Sequence, residues 1–161
     1  MIEALMPIYG NNGENATRVY NLDGQSIKFD KSMKSYLLSL ARDIGKDIYN
    51  IRRMSKDILD KKNGVPLVFS EQVVLIPVRV RKPITKADGS YGYINLDCIQ
   101  EVIQNENNTT IKLINNITIE ALITKRTLNT KIIESSYVKD IYIKKMNNFN
   151  NKNFNDKVGI I

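Results

Sequence analysis

Val73-Val74-Leu75-Ile76-Pro77-Val78-Arg79-Val80-Arg81-Lys82-Pro83 is answered, after a polar interval, by Tyr91-Gly92-Tyr93-Ile94-Asn95. Residues 73–80 are almost unbroken in apolar character, which predicts a strand covered on both faces. Pro77 removes one ladder donor and so implies an edge position or a bulge. Residues 81–90 contain Pro83 and Asp88-Gly89 and read as a loop. Tyr91 to Ile94 then returns as a strand. In an extended strand side chains alternate, so Arg79 and Arg81 share a face, about 7 Å apart. Lys82 follows them, and Lys86 lies in the loop.

The N-terminal side predicts local structure of two kinds. Residues 4–29 alternate around two turns, Gly10-Asn11-Asn12-Gly13 and Asp23-Gly24, and read as two or three short strands in a meander. Apolar residues then recur at helical spacing: Met33, Leu37, Leu40, Ala41, Ile44, Ile48, Ile51, Met54, Ile58 and Leu59. Asp30 or Ser32 is placed to cap this helix. Gly45 is a natural break into two helices, about 32–44 and 47–61, with Gly64 as a stop. The opposite face carries Lys34, Arg42, Lys46, Arg52, Arg53 and Lys56 among Asp43, Asp47 and Asp57. Mixed charge of this kind reads first as a solvated face.

Beyond the return strand a meander is expected: residues 99–103, 110–114 and 117–123, with a type I′ turn at Asn115-Asn116. Ile111 and Leu113 alternate with Thr110 and Lys112, which predicts one wet face. A helix is expected over about 127–136, then a final strand from Val138 to Ile143. The fold class is therefore α+β: short N-terminal strands, a central helix or helix pair, a mostly antiparallel sheet and a short C-terminal helix. Residues 1–146 form one domain. Residues 147–161, dominated by Asn and Lys, read as a flexible tail or one ordered against a partner.

Composition narrows the function. The chain has 161 residues, 42% hydrophobic and 25% charged, with a formal net charge of +7. Its isoelectric point near 9.4 favours a polyanionic partner. Histidine is absent and Cys98 is the only cysteine, which removes His-based catalysis, a disulfide and a Cys-rich zinc site together. Cys98 reads as a core residue. The carboxylates show no catalytic or metal-ligand spacing, and no Gly-rich phosphate loop is present. No enzyme activity, metal, cofactor or small-molecule substrate is expected. No apolar run is long enough for a membrane span or a signal peptide, so a cytoplasmic protein is expected.

Two basic constellations remain. Arg79, Arg81 and Lys82 end the central strand, and Lys125 and Arg126 precede a helix start, with Lys131 one turn in. Arginine suits phosphate contact and narrow-groove insertion because its guanidinium is planar and weakly hydrated. Tyr91 and Tyr93 share a strand face and can stack on bases or fill core. Tyr93 joins the basic residues as a candidate DNA contact.

These residues resemble the ComK competence transcription factors of low-GC Gram-positive bacteria. The landmarks are Gly64-Val65-Pro66-Leu67, Val74-Leu75-Ile76-Pro77-Val78-Arg79, Tyr91-Gly92-Tyr93-Ile94-Asn95, Thr109-Thr110-Ile111-Lys112-Leu113-Ile114-Asn115-Asn116 and Thr127-Leu128. They agree in order and spacing over about residues 50–135. Tyr93 stands at the family's tryptophan position. The resemblance implies a sequence-specific regulator of transcription that binds AT-rich double-stranded DNA, largely through the minor groove, as dimers that associate further. Residues 96–128 are also similar to the strand series of LytTR-type DNA-binding domains, with the same functional class. The alternative from another class is a protein-interaction adaptor or mobile-element structural protein whose edge strand near Pro77 pairs with a partner.

Overall fold

The computed structural model describes residues 1–159, without the side chains of residues 155 and 156. The fold is α+β. Three N-terminal strands, β1 (Ile2–Tyr9), β2 (Asn15–Asn21) and β3 (Ser26–Phe29), form an antiparallel meander. The turn from β2 to β3 places Gly24 at φ 84°, where a side chain is strained.

The helical run splits as Gly45 predicts. Helix α1 (Met33–Asp43) is capped by the Ser32 hydroxyl, which accepts from the Ser35 amide. Gly45 takes φ 69° and ends it. Helix α2 (Ile48–Leu59) restarts with Asp47 as its cap, accepting from the Tyr49 amide. It stops earlier than the expected residue 61, because Asp60 adopts the left-handed conformation.

Strands β4 (Leu67–Val68), β5 (Val74–Arg79) and β6 (Tyr91–Asn95) complete a six-stranded sheet in the order β3-β2-β1-β6-β5-β4. The pairing of β1 with β6 joins the two ends of the chain's first two thirds, with Leu5 opposite Tyr93 and Ala4 opposite Ile94. β4 covers only Val74 and Leu75 of its neighbour. From Ile76 onward β5 is therefore a free edge, and Pro77 lies there with its register to β6 unbroken. Of the two implied settings for Pro77, edge or bulge, the edge is the one found.

Alternation sorts the sheet's side chains into two cores. Leu5, Val19 and Leu75 face α1 and α2, meeting Leu37, Ala41, Ile48 and Ile51. Ala4, Ile76, Val78 and Ile94 face the other way. There they meet a second sheet, β7 (Ile99–Gln104), β8 (Thr109–Leu113) and β9 (Thr118–Ala121), through Ile111, Leu113, Ile119 and Ala121. A 3-10 turn, Leu96–Cys98, links the sheets. Cys98 is fully buried there, and burial pushes its thiol up to about 11. The β8–β9 hairpin keeps the wet face expected of it. Its turn differs from type I′: only Asn116 has positive φ, at 63°, and Leu113 pairs with Ile117 around a three-residue loop. Asn115 is thereby free to hold Glu3, a fully buried carboxylate beside a register shift in β1. Its amide and side-chain nitrogen donate to Glu3 at 3.3 and 3.2 Å.

The largest departure lies at the C-terminus. Helix α3 runs unbroken over Lys125–Val158, so neither a helix confined to 127–136 nor a strand at Val138–Ile143 is present. The inward residues Leu128, Ile132, Ser135, Val138 and Tyr142 follow a helical period that continues through the supposed strand. Lys139 fixes this part of the helix by donating to both oxygens of Asp97, at 2.9 and 2.7 Å. The Asn/Lys-rich segment continues the helix, and its described side chains from Lys144 onward are exposed. Residues 160–161 of the expected tail lie outside the described residues. Among the described residues, no helix is long and apolar enough to cross a membrane.

Candidate nucleic-acid interface

The exit of β5 and the start of α3 meet directly. The Leu122 amide donates to the Arg79 carbonyl at 2.6 Å, on the open side of β5. Lys125 and Arg126 then begin α3, both exposed. The helix start is held by Thr124, whose hydroxyl accepts from the Thr127 amide, and by Gln104, which accepts from the Lys125 amide at 2.6 Å. Arg79 and Lys82 are exposed as well. One backbone hydrogen bond thus joins the end of β5 at Arg79 to the segment that leads into Lys125 and Arg126, and Lys82 follows in the loop beyond Arg79.

Arg81 departs from expectation. Its Nε donates to the Gly89 carbonyl at 2.6 Å and its Nη2 to the Asn15 side chain at 2.6 Å, while its guanidinium lies 4.3 Å from the centre of the Tyr9 ring. These contacts engage Nε and Nη2, and Nη1 is buried without a hydrogen-bond partner, so the fork is not open to a phosphate from solvent. Arg81 belongs to the architecture of the loop, and the pair Arg79/Arg81 is not presented jointly.

Asp88 is the centre of that loop. It accepts from the amides of Ile84 and Thr85 at 3.0 and 2.9 Å, from the Tyr9 hydroxyl at 2.8 Å and from Asn15 at 2.9 Å. The Thr85 amide, then Asn15 and Tyr9, hold its carboxyl well below the usual carboxylate range. Because the folded pKa is depressed, this contribution is present above pH about 4 and is lost only as pH falls through the lower folded value. In Asp88→Asn the amides of Ile84 and Thr85 are expected to lose hydrogen-exchange protection while those of β5 and β6 keep theirs. Unchanged protection at Ile84 and Thr85 would refute the role of the carboxylate.

Tyr93 is half-buried, and lies in a groove rather than in the cluster around α3. The groove runs between the helix pair and β6 in two connected parts. The first, about 280 Å³, is lined by Met33, Lys34, Leu37, Tyr49 and Arg52, together with Tyr91 and Tyr93. The second, about 450 Å³, shares Arg52, Tyr91 and Tyr93 and adds Lys56, Gly64 and Pro77. No carboxylate lines either part. Burial raises the Tyr93 hydroxyl pKa, and the neighbouring Arg52 guanidinium opposes it. Arg79 stands directly across the ladder from Tyr91, so its side chain rises at the groove's rim. Gly92, between the two tyrosines, is required by packing: a Cβ there would lie 3.0 Å from the Leu5 carbonyl oxygen and 3.1 Å from Val80.

Comparison with protein-family models, with curated proteins and with solved structures finds no match in any of the three. The functional reading therefore rests on the residues themselves. Sequence reasoning did not place Arg52, Lys56 or Tyr49 at a site, because their helix face carries both signs of charge. The signal that separates them is cross-strand: they face Tyr91 and Tyr93, and the carboxylates of α2 point elsewhere.

Proposed function

We propose that this chain is a DNA-binding regulator of transcription, with Arg79, Lys82, Lys125 and Arg126 contacting backbone phosphates of an AT-rich duplex. The observation that supports the reading is the Leu122–Arg79 hydrogen bond, which joins two distant segments that both carry exposed cations. The net charge of +7 and the ComK-like landmarks point the same way. Arg79 is the arginine suited to probe a narrow minor groove, since Arg81 is engaged within its own loop. Phosphate contacts of this type fix position, and groove width supplies preference for A-tracts. The reading includes association of two or more copies on DNA.

Fluorescence anisotropy with an AT-rich duplex tests it. The logarithm of the binding constant is expected to fall with the logarithm of salt, with a slope of about −0.9 for each phosphate neutralised. Replacing Arg79, Lys82, Lys125 and Arg126 by Ala together is expected to flatten that slope by about 3 to 4. Absent or salt-insensitive binding at about 50 mM salt would overturn the reading.

A further inference from the structure

The groove at Tyr91 adjoins the duplex-contacting set only at Arg79 on its rim, and its chemistry differs. We propose that it binds the unpaired strand of a nucleic acid, with bases stacked on Tyr91 and Tyr49 and phosphates held by Lys34, Arg52 and Lys56. The inference goes beyond the duplex reading and stands independently of it.

Charge is the first argument. Lys34, Arg52 and Lys56 line the groove without a carboxylate among the lining residues. Among the described residues, none of them has a carboxylate oxygen within 4.0 Å, although ion pairs form elsewhere, as between Lys139 and Asp97. Asp57 and Asp60 border Lys56 only in a different recess. Cations gathered without counter-charge attract an anion, and low-dielectric walls such as Met33 and Leu37 strengthen the attraction.

Aromatic exposure is the second. Tyr49 is 61% exposed and Tyr91 is 45% exposed, yet both open onto this groove. An aromatic face left beside cations is a stacking platform, the combination used to hold single strands without dependence on sequence. An acidic peptide would satisfy the cations but leave the rings without planar partners.

The test uses the intact chain and a labelled oligothymidylate of about 12 nucleotides, thymidine monophosphate, and the AT-rich duplex. The chain contains no tryptophan, so stacking is also read as quenching of its intrinsic tyrosine emission. The single strand is expected to bind with a salt slope of about −0.7 per phosphate contacted. Tyr91→Ala is expected to weaken single-strand binding by about 5- to 150-fold while leaving duplex affinity within twofold or so. Arg52→Gln, conservative in size, is expected to reduce the salt slope for the single strand. Thymidine monophosphate competing as well, nucleotide for nucleotide, would assign the site to free nucleotides and overturn the strand assignment. The proposal is also overturned if the oligothymidylate fails to bind at about 50 mM salt, or if polyglutamate displaces it at equal charge concentration. A single-strand affinity that follows Lys125→Ala/Arg126→Ala and ignores Tyr91→Ala overturns it as well. Loss of duplex binding with single-strand binding intact would instead remove only the regulator reading.

Discussion

Ile76→Ala is expected to lower the unfolding free energy by about 3–4 kcal/mol. Ile76 has no exposed surface and sits on β5 where three bodies meet: the six-stranded sheet, the second sheet through Ile111 and Leu113, and α3 through Leu128. Truncation removes three carbons from contact with all of them. Little can move in to fill the space. β5 is tied to β6 on one side, and α3 is fastened to the body by Lys139 and Asp97. A domain of this size is stable by roughly 5–15 kcal/mol, so the loss is a large share of the total. Urea unfolding at constant m-value measures it. Ile27→Ala, at a side chain 42% exposed on β3, serves as the surface comparison and is expected to cost within about 0.5 kcal/mol. Equal costs at the two positions would mean that the sheets do not pack together at Ile76.

Asn95→Leu is expected to cost about 2–4 kcal/mol, although it keeps the side chain's size and adds apolar surface. Asn95 is fully buried at the end of β6. Its side-chain nitrogen donates to the carbonyls of Ile2 and Gln72 at 2.9 and 3.0 Å, and its oxygen accepts from the Val74 amide at 3.4 Å. One amide group thus ties together the start of β1, the turn before β5 and β5 itself. Leucine leaves two carbonyls and an amide without that partner, and each buried unpaired group costs about 1–3 kcal/mol. The total stays near the lower end because the carbonyls of Ile2 and Gln72 are only part-buried and keep access to water, and the long Val74 contact is weak. Thermal and urea unfolding give the cost, and hydrogen exchange at Val74 locates it. A neutral effect would mean that water already serves these groups.

Elements governed by local pattern were legible in the sequence. Helical spacing of Leu37, Ala41, Ile48 and Ile51 gave both central helices, and Gly45 gave the break between them. Pairing across long separations was not. Nothing near Leu5 announces that it will lie opposite Tyr93, because strand partners are chosen by tertiary packing. At Val138–Ile143 the apolar residues satisfy a period of two over a few positions and a helical period over many, and a short window cannot choose between them. The same limit applied to the site. Strand alternation put Arg79 and Arg81 in phase, but β5 ends at Arg79, and the availability of Arg81 is decided by Tyr9 and Asn15 of other segments and by Gly89 at the far end of its own loop. The basic residues of α2 read as a solvated face because their neighbours in sequence include Asp57. In space, Arg52 and Lys56 border a groove without carboxylates.

The open side of β5 bears on how the chain avoids joining itself into larger aggregates. An uncovered strand edge is a template for another strand, through its row of outward amides and carbonyls. Beyond β4, the backbone groups that turn outward are those of Pro77 and Arg79, by the alternation of an antiparallel ladder. Pro77 has no amide hydrogen to donate, and the Arg79 carbonyl is already bonded to Leu122. An incoming strand finds neither a donor at the first position nor a free acceptor at the second. The same blockade weighs against an adaptor that captures a partner by extending this sheet. The proline that marks the strand in the sequence is therefore also a guard against cross-strand polymerisation.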